Sequence, residues 1–105
     1  MNTKQAASPY YKASSLRIPP QSLEAEKALL GSIMIRPEMM FEVMDIIKEE
    51  TFYSERHRLI WGVMIELHGK ATPIDLLSLS SRLKEKSILE HVGGMSYLTE
   101  LVGEV

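Results

Sequence analysis

The three histidines, His57, His68 and His91, are the residues whose spacing best tests for metal chemistry. His57 and His68 lie 11 residues apart on one predicted helix, roughly three turns, which is too far for their rings to share a metal ion. No His-Glu-x-x-His pattern or equivalent ligand spacing occurs in the sequence. The pattern therefore favours histidines that are solvated or hydrogen-bonded within the fold, and it predicts no metal site.

The carboxylates and serines also lack the neighbours that catalysis needs. Paired carboxylates occur without an apparent acid/base partner in a cleft, at Glu49-Glu50 and at Glu55 with Glu66. The serines lack the glycine elbow that presents a nucleophile, at Ser22, Ser54 and Ser80-Ser81. No catalytic residue is predicted, so we do not expect this chain to be an enzyme.

Gly93-Gly94 is the only glycine pair, and no basic residue follows it to bind phosphate. An anion site at the start of the last helix is one interpretation. Helix punctuation by residues that tolerate unusual backbone angles is the favoured one. We therefore predict no catalytic, cofactor or metal site in this chain.

Composition limits the remaining classes of function. The chain has 105 residues, enough for one domain with one core, and a formal net charge of −2. A duplex-DNA binder usually carries a basic face, so we expect no strong DNA binding by this chain alone. The absence of cysteine excludes disulfides and fits a cytoplasmic location. Apolar runs fall far short of the roughly 20 residues that span a bilayer, and no secretory signal is visible, so no membrane association is expected.

The sequence pattern predicts that the residues named above lie on or between α-helices. Residues 1–17 are polar and are expected to form a flexible tail, and Pro19-Pro20 fixes an extended entry into the domain. Apolar residues then recur at helical spacing, and no segment alternates with a period of two. The predicted helices cover residues 22–35, 37–47, about 55–69, a run after Asp75, and 95–102. We predict an all-α fold, a small orthogonal bundle of five helices, or six if residues 87–91 close a further turn.

Capping residues mark where these helices begin and end. Pro37 suits the first turn of the second helix. Ser54 and Asp75 are expected to cap the third and fourth helices, and Gly69 is expected to end the third.

Three apolar residues are predicted outside the main helical stripes. Trp61 and Ile65 lie beyond the stripe of the third helix, which indicates either a helix buried on two sides or an exposed contact for another protein. Among the clustered methionines, core filling is the default, and Met39 is predicted to face outward. Trp61, Ile65 and Met39 are therefore candidate protein contacts.

Taken together, the motifs resemble a known family. They are Pro19-Pro20 with Glu24-Ala25-Glu26 and Leu30-Gly31; Phe52-Tyr53 with His57, Ile60 and Trp61; Pro73-Ile74-Asp75-Leu76; and Val92-Gly93-Gly94 with Tyr97-Leu98 and Glu100-Leu101. In this order and spacing, the segment from Ile18 to Val102, about four-fifths of the chain, resembles the N-terminal domain of bacterial replicative DNA helicases of the DnaB type.

The resemblance implies a helical head domain over residues 18–105, without the helical hairpin and the RecA-like ATPase domain that follow in the family. ATP and magnesium would belong to that missing domain, so no cofactor is expected here. The family forms six-membered rings whose N-terminal domains pair as a trimer of dimers. The C-terminal domain of a DnaG-type primase docks on this collar, and helicase loaders act on the assembly. Met95, which follows the glycine pair, is a fourth candidate contact residue, between the N-terminal domains of two subunits.

The resemblance thus predicts a non-catalytic domain for assembly and docking in DNA replication. The alternative from the residues is a helix-turn-helix DNA-binding module formed by the third and fourth helices. Their connection of roughly six residues exceeds the usual three to four. The basic residues of the fourth helix stand near its C-terminal end, whereas recognition helices read bases nearer the N-terminus: Arg82, Lys84 and Lys86.

Overall fold

The computed structural model of this chain describes residues 22–103, which contain five α-helices and no β-strand. The helices are α1 (Ser22–Ile35), α2 (Met40–Val43), α3 (Glu55–Gly69), α4 (Leu76–Glu85) and α5 (Gly94–Gly103). The all-α prediction is confirmed, with five helices rather than six. The predicted tail, residues 1–17, and the entry at Pro19-Pro20 lie outside the described residues. Within residues 22–103, no helix is long and apolar enough to cross a bilayer.

The core lies where α1, α3, α4 and α5 meet. Helix α1 packs on α5 and α3, and α4 packs on α3 and α5. Each of the four helices contributes side chains that are completely buried: Leu30, Ile33, Ile60, Met64, Leu79, Leu83, Leu98 and Leu101. Helices this short are marginal alone, whereas burying one such side chain stabilises the fold by about 1.5–3 kcal/mol. Mutual packing therefore maintains the helices.

The start of α4 follows from its local sequence. Asp75 has an extended backbone, and its Oδ1 accepts a hydrogen bond from the Ser78 backbone N–H at 2.8 Å. The Ser78 Oγ accepts in return from the Asp75 N–H at 3.0 Å. This capping box satisfies two backbone donors at the helix start, so the predicted cap at Asp75 is confirmed.

The predicted second helix over residues 37–47 is wrong as one continuous α-helix. Pro37–Met39 form a 3-10 turn, and only Met40–Val43 are α-helical. The chain continues as hydrogen-bonded turns in which the N–H groups of Ile46 and Ile47 both donate to the carbonyl of Val43. The fully buried Met40 anchors the short α-helical piece against the core.

The helix ends are only partly as predicted. Helix α3 ends at Gly69, but the left-handed backbone angle falls two residues later, at Ala71, whose φ is 56°. At the start of α5, Gly93 and Gly94 have φ of 111° and 73°. These angles favour glycine, so the interpretation of the glycine pair as helix punctuation is confirmed.

Candidate protein-interaction site

A buried polar network holds the start of α3 against α1 and α5. Glu26 of α1 is only 6% exposed, and its carboxylate accepts hydrogen bonds from the Tyr53 backbone N–H at 2.7 Å and from His57 Nδ1 at 2.7 Å. Because the carboxylate can only accept, Nδ1 carries the proton, and His57 Nε2 accepts from the Tyr97 hydroxyl at 2.5 Å. Three helices are thereby tied together through one histidine.

The protonation states follow from this environment. Burial lowers the pKa of His57 below its usual 6.5, against the opposing effect of the Glu26 carboxylate. Burial also raises the pKa of Tyr97 above 10.0, so its hydroxyl keeps its proton. Both ring nitrogens of His57 are therefore engaged in hydrogen bonds within the fold.

Glu26 also contacts the residue that precedes α3. Ser54 does precede the helix, as expected, but its side chain makes no capping hydrogen bond. The Ser54 backbone N–H instead approaches Glu26 Oε1 at 3.5 Å. The predicted side-chain cap at Ser54 is therefore wrong; Glu26 binds the N–H groups of the two residues before α3.

The strongest candidate for partner binding is an open apolar groove beside α2. We call it the Phe41 groove; its volume is about 550 Å³, and it is lined by Pro37, Glu38, Phe41, His68, Ala71, Thr72, Pro73 and Ile74. Phe41 is 73% exposed, and the edge of its ring meets the His68 imidazole at 4.8 Å between centroids. The buried Ile74 contributes to the lining. An exposed phenyl ring over an apolar groove is the kind of feature that anchors a protein partner.

The walls of the Phe41 groove are held in place by polar contacts. Ser78 Oγ donates to the Pro73 carbonyl at 2.6 Å, which fixes the loop before α4. Glu66 of α3 accepts from Arg82 Nε of α4 at 2.8 Å, and Lys70 and Lys86 approach the same carboxylate. The Arg82 guanidinium lowers the pKa of Glu66 to about 2. These contacts hold the loop at Pro73 and tie α3 to α4 beside the groove.

A second groove lies between residues 44–49, which follow α2, and α3. It has a volume of about 440 Å³ and is lined by Met44, Asp45, Ile47, Lys48, Glu49, Trp61, Gly62 and Ile65. Two of the predicted contact residues, Trp61 and Ile65, therefore do come together.

Trp61 nevertheless requires a correction, because it is not an exposed contact. Its side chain is 2% exposed and packs against Phe52, with ring centroids 5.8 Å apart. The alternative expectation, a helix buried on two sides, is the correct one: the turn over Glu49–Thr51 and the Phe52 ring cover this face of α3. In the isolated chain, Trp61 stabilises the core.

The other three candidates take different positions. Ile65 is half-buried in the second groove, and Met39 is half-buried and packs against the core. Met95 is 46% exposed on α5, and neither it nor Met39 is among the residues that line the two grooves. Their roles in binding stay predictions.

The prediction missed Phe41, although a signal for it exists. Phe41 follows Met40 immediately, which places it about 100° around the helix from the stripe of the second predicted helix. This is the argument that singled out Trp61. Glu26 gave a weaker signal, because its first-turn position already has an explanation in the helix dipole.

The arrangement of α3 and α4 does not favour the helix-turn-helix alternative. Residues 70–75 separate the two helices, which is long for that motif. Arg82 and Lys86 are bound to Glu66 rather than presented to a phosphate backbone. No group of three side chains suited to a metal ion occurs among residues 22–103.

Comparison with known proteins connects this geometry to a family. The family described as "DnaB-like helicase N terminal domain" matches residues 18–105. The chain is 42% identical over 90 residues to the replicative DNA helicase DnaB of Synechocystis sp., covering 86% of this chain and 10% of that protein. It is 37% identical over 89 residues to the replicative DNA helicase DnaC of Bacillus subtilis, covering 85% of this chain and 20% of that protein.

The fold agrees with a solved structure of the same kind. The crystal structure of the N-terminal domain of DnaB helicase from Mycobacterium tuberculosis matches with a TM-score of 0.79 and 27% sequence identity. The match covers 84% of this chain and 64% of that one. The chain spans a fifth or less of the two helicases compared above. From its sequence match and from its five-helix fold, this chain belongs to the family of DnaB-like helicase N-terminal domains.

Proposed function

We propose that this chain is a non-catalytic assembly and docking domain of a replicative DNA helicase. In this role it supports ring formation by the parent protein through contacts between its own copies, as a dimer within a hexamer. It also receives the C-terminal domain of a DnaG-type primase and a helicase loader during DNA replication, in the cytoplasm. Family membership supports the helicase part of the proposal. We assign ATP and magnesium to another domain of the parent.

The observation that carries the docking role is the exposed Phe41 over its apolar groove. An aromatic ring that is 73% exposed stabilises the isolated chain little, whereas it gains burial on binding. By contrast, the histidine with the most elaborate hydrogen bonding, His57, is fully engaged inside the fold. The residues described therefore favour binding over chemistry.

The test is a titration of the ¹⁵N-labelled chain with the C-terminal domain of a DnaG-type primase, followed by NMR chemical shifts. We expect shifts at the residues of the Phe41 groove, and Phe41→Ala should raise Kd about tenfold or more, the usual loss for an aromatic anchor. Leu77→Ala is the matched control, since Leu77 is also 73% exposed but does not line the groove. If neither chemical-shift changes nor, in a parallel calorimetric titration, heat changes are seen at high micromolar concentrations of the primase domain, the primase-docking role is wrong.

A further inference from the structure

The buried His57 borders an open pocket at the surface of the bundle. The pocket has a volume of about 420 Å³ and lies where the starts of α1 and α3 meet the middle of α5. His57 is only 2% exposed, yet both this residue and Tyr97, its hydrogen-bond partner at Nε2, belong to the pocket lining. The pocket therefore brings solvent close to the histidine–tyrosine pair.

Only one atom of His57 can take up a further proton. Nδ1 already carries a proton and donates it to Glu26 at 2.7 Å, whereas Nε2 accepts from the Tyr97 hydroxyl at 2.5 Å. A proton added at Nε2 turns this atom from an acceptor into a donor. Two hydrogens would then face each other across 2.5 Å unless the hydroxyl turns away. The hydrogen bond that Tyr97 donates is therefore available only to the neutral ring.

The charges around the ring act in both directions on a protonated His57. The Glu26 carboxylate would attract the cation, whereas Arg56 and Lys27 would repel it. Burial has the largest effect and disfavours the cation, which keeps the pKa of His57 below 6.5. Charged and titratable groups from all three helices line the pocket or contact the ring: Glu24, Glu26, Lys27, Arg56, Tyr97 and Glu100.

Tyr97 is where proton uptake would affect the packing of the helices. Helix α5 packs mainly on α1 and α4, and Tyr97 joins it to α3 through the hydrogen bond to His57 and the Arg56 guanidinium stacked over its ring at 4.2 Å. Loss of the hydrogen bond would weaken this connection, while the packing of α5 on α1 and α4 would remain. The expected change is therefore local to the contact between α3 and α5.

We propose that His57 is a pH-sensitive switch, which joins α3 to α5 when neutral and releases the Tyr97 hydroxyl when Nε2 takes up a proton through the pocket. This inference goes beyond the docking function and does not depend on it. Because the pKa of His57 is lowered in the folded chain, the stability that the neutral ring contributes is present above pH 6.5. It is lost as pH falls below 6.5 through the lower pKa of the folded state.

The first test is an NMR titration of the ¹⁵N-labelled 105-residue chain from about pH 8 to about pH 4. We expect the His57 ring to take up its proton with a midpoint below 6.5, and the amide resonance of Tyr97 to shift with the same midpoint. The amides of Leu79 and Leu83, which are buried in α4, should not follow this midpoint. Tyr97→Phe keeps a ring under Arg56 but removes the hydroxyl, so it should raise the midpoint of His57.

The second test compares urea midpoints at about pH 7.5 and about pH 5. The wild type should lose more stability between these two pH values than His57→Gln, whereas His91→Gln, which removes an exposed histidine, should behave like the wild type. If His57→Gln does not fold, the NMR titrations of the wild type and Tyr97→Phe decide the question. The switch is refuted if His57 takes up no proton before the chain unfolds, if its midpoint is 6.5 or higher, if Tyr97→Phe leaves the midpoint unchanged, or if α4 and α5 respond alike.

Discussion

Replacing the buried Glu26 by alanine is the sharpest test of how the groove-bearing bundle is held together. The substitution removes the carboxylate that accepts from the backbone N–H of Tyr53 and from Nδ1–H of His57, besides the longer contact with the Ser54 N–H at 3.5 Å. Tyr53 is near solvent, so its N–H costs about 1 kcal/mol, whereas the buried His57 donor costs about 2 kcal/mol. We therefore expect Glu26→Ala to lower the free energy of unfolding by about 3 kcal/mol.

This is a large fraction of the stability of a domain of this size, typically about 5–15 kcal/mol. The melting temperature should fall by about 12–24 °C, because 1 kcal/mol corresponds to about 4–8 °C in a small domain. Urea denaturation followed by circular dichroism measures the free energy directly. The variant is expected to remain folded at 25 °C.

The matched control is Glu24→Ala in the same first turn of α1. Glu24 is exposed, so its removal should cost less than about 1 kcal/mol, mainly through the helix dipole. If Glu26→Ala and Glu24→Ala destabilise the chain equally, the carboxylate does not hold α3 to α1 and our account of the network is refuted.

Two further predictions concern the ends of α3 and α5. Gly93→Ala should lower the free energy of unfolding by about 2–4 kcal/mol, because the φ of Gly93 is 111° and the new Cβ would lie 2.7 Å from a neighbouring side chain. Gly69→Ala is the control: a Cβ at Gly69 would meet nothing within 4 Å, so the free energy of unfolding should change by less than about 1 kcal/mol. Equal melting temperatures for the two variants would contradict this prediction. For Glu66, whose pKa is lowered from 4.5 to about 2, the stabilising contribution is present above pH 4.5 and is lost as pH falls towards 2. The difference in unfolding free energy between the wild type and Glu66→Gln should therefore shrink over that range, and a constant difference would count against the role of Glu66.

Local sequence accounted for most of the helix boundaries. Asp75 begins α4 because an aspartate and a serine three residues later can satisfy each other's backbone donors. The glycine pair begins α5 because both residues need backbone angles that other residues avoid. The prediction failed after Pro37, where a helical pattern continues to Ile47 but only one α-helical stretch of four residues forms.

The candidate site was much less predictable. Trp61 and Phe41 gave the same signal, an aromatic residue outside a helical stripe, yet Trp61 is 2% exposed and Phe41 is 73% exposed. The difference arises because other segments cover one face of α3 and none among the described residues covers Phe41. Periodicity gives the direction of a side chain around its own helix, but it does not give the position of the neighbouring helix.

The sequence by itself determined the all-α class and the main helix ends, because these depend on residues within a few positions of one another, and it determined the family through the order and spacing of its motifs. Only the tertiary structure decided that Glu26 bonds His57 across 31 residues and that Phe41 stands exposed over a groove. Both depend on how separate helices pack, and that packing is settled by shape and burial summed over the entire core.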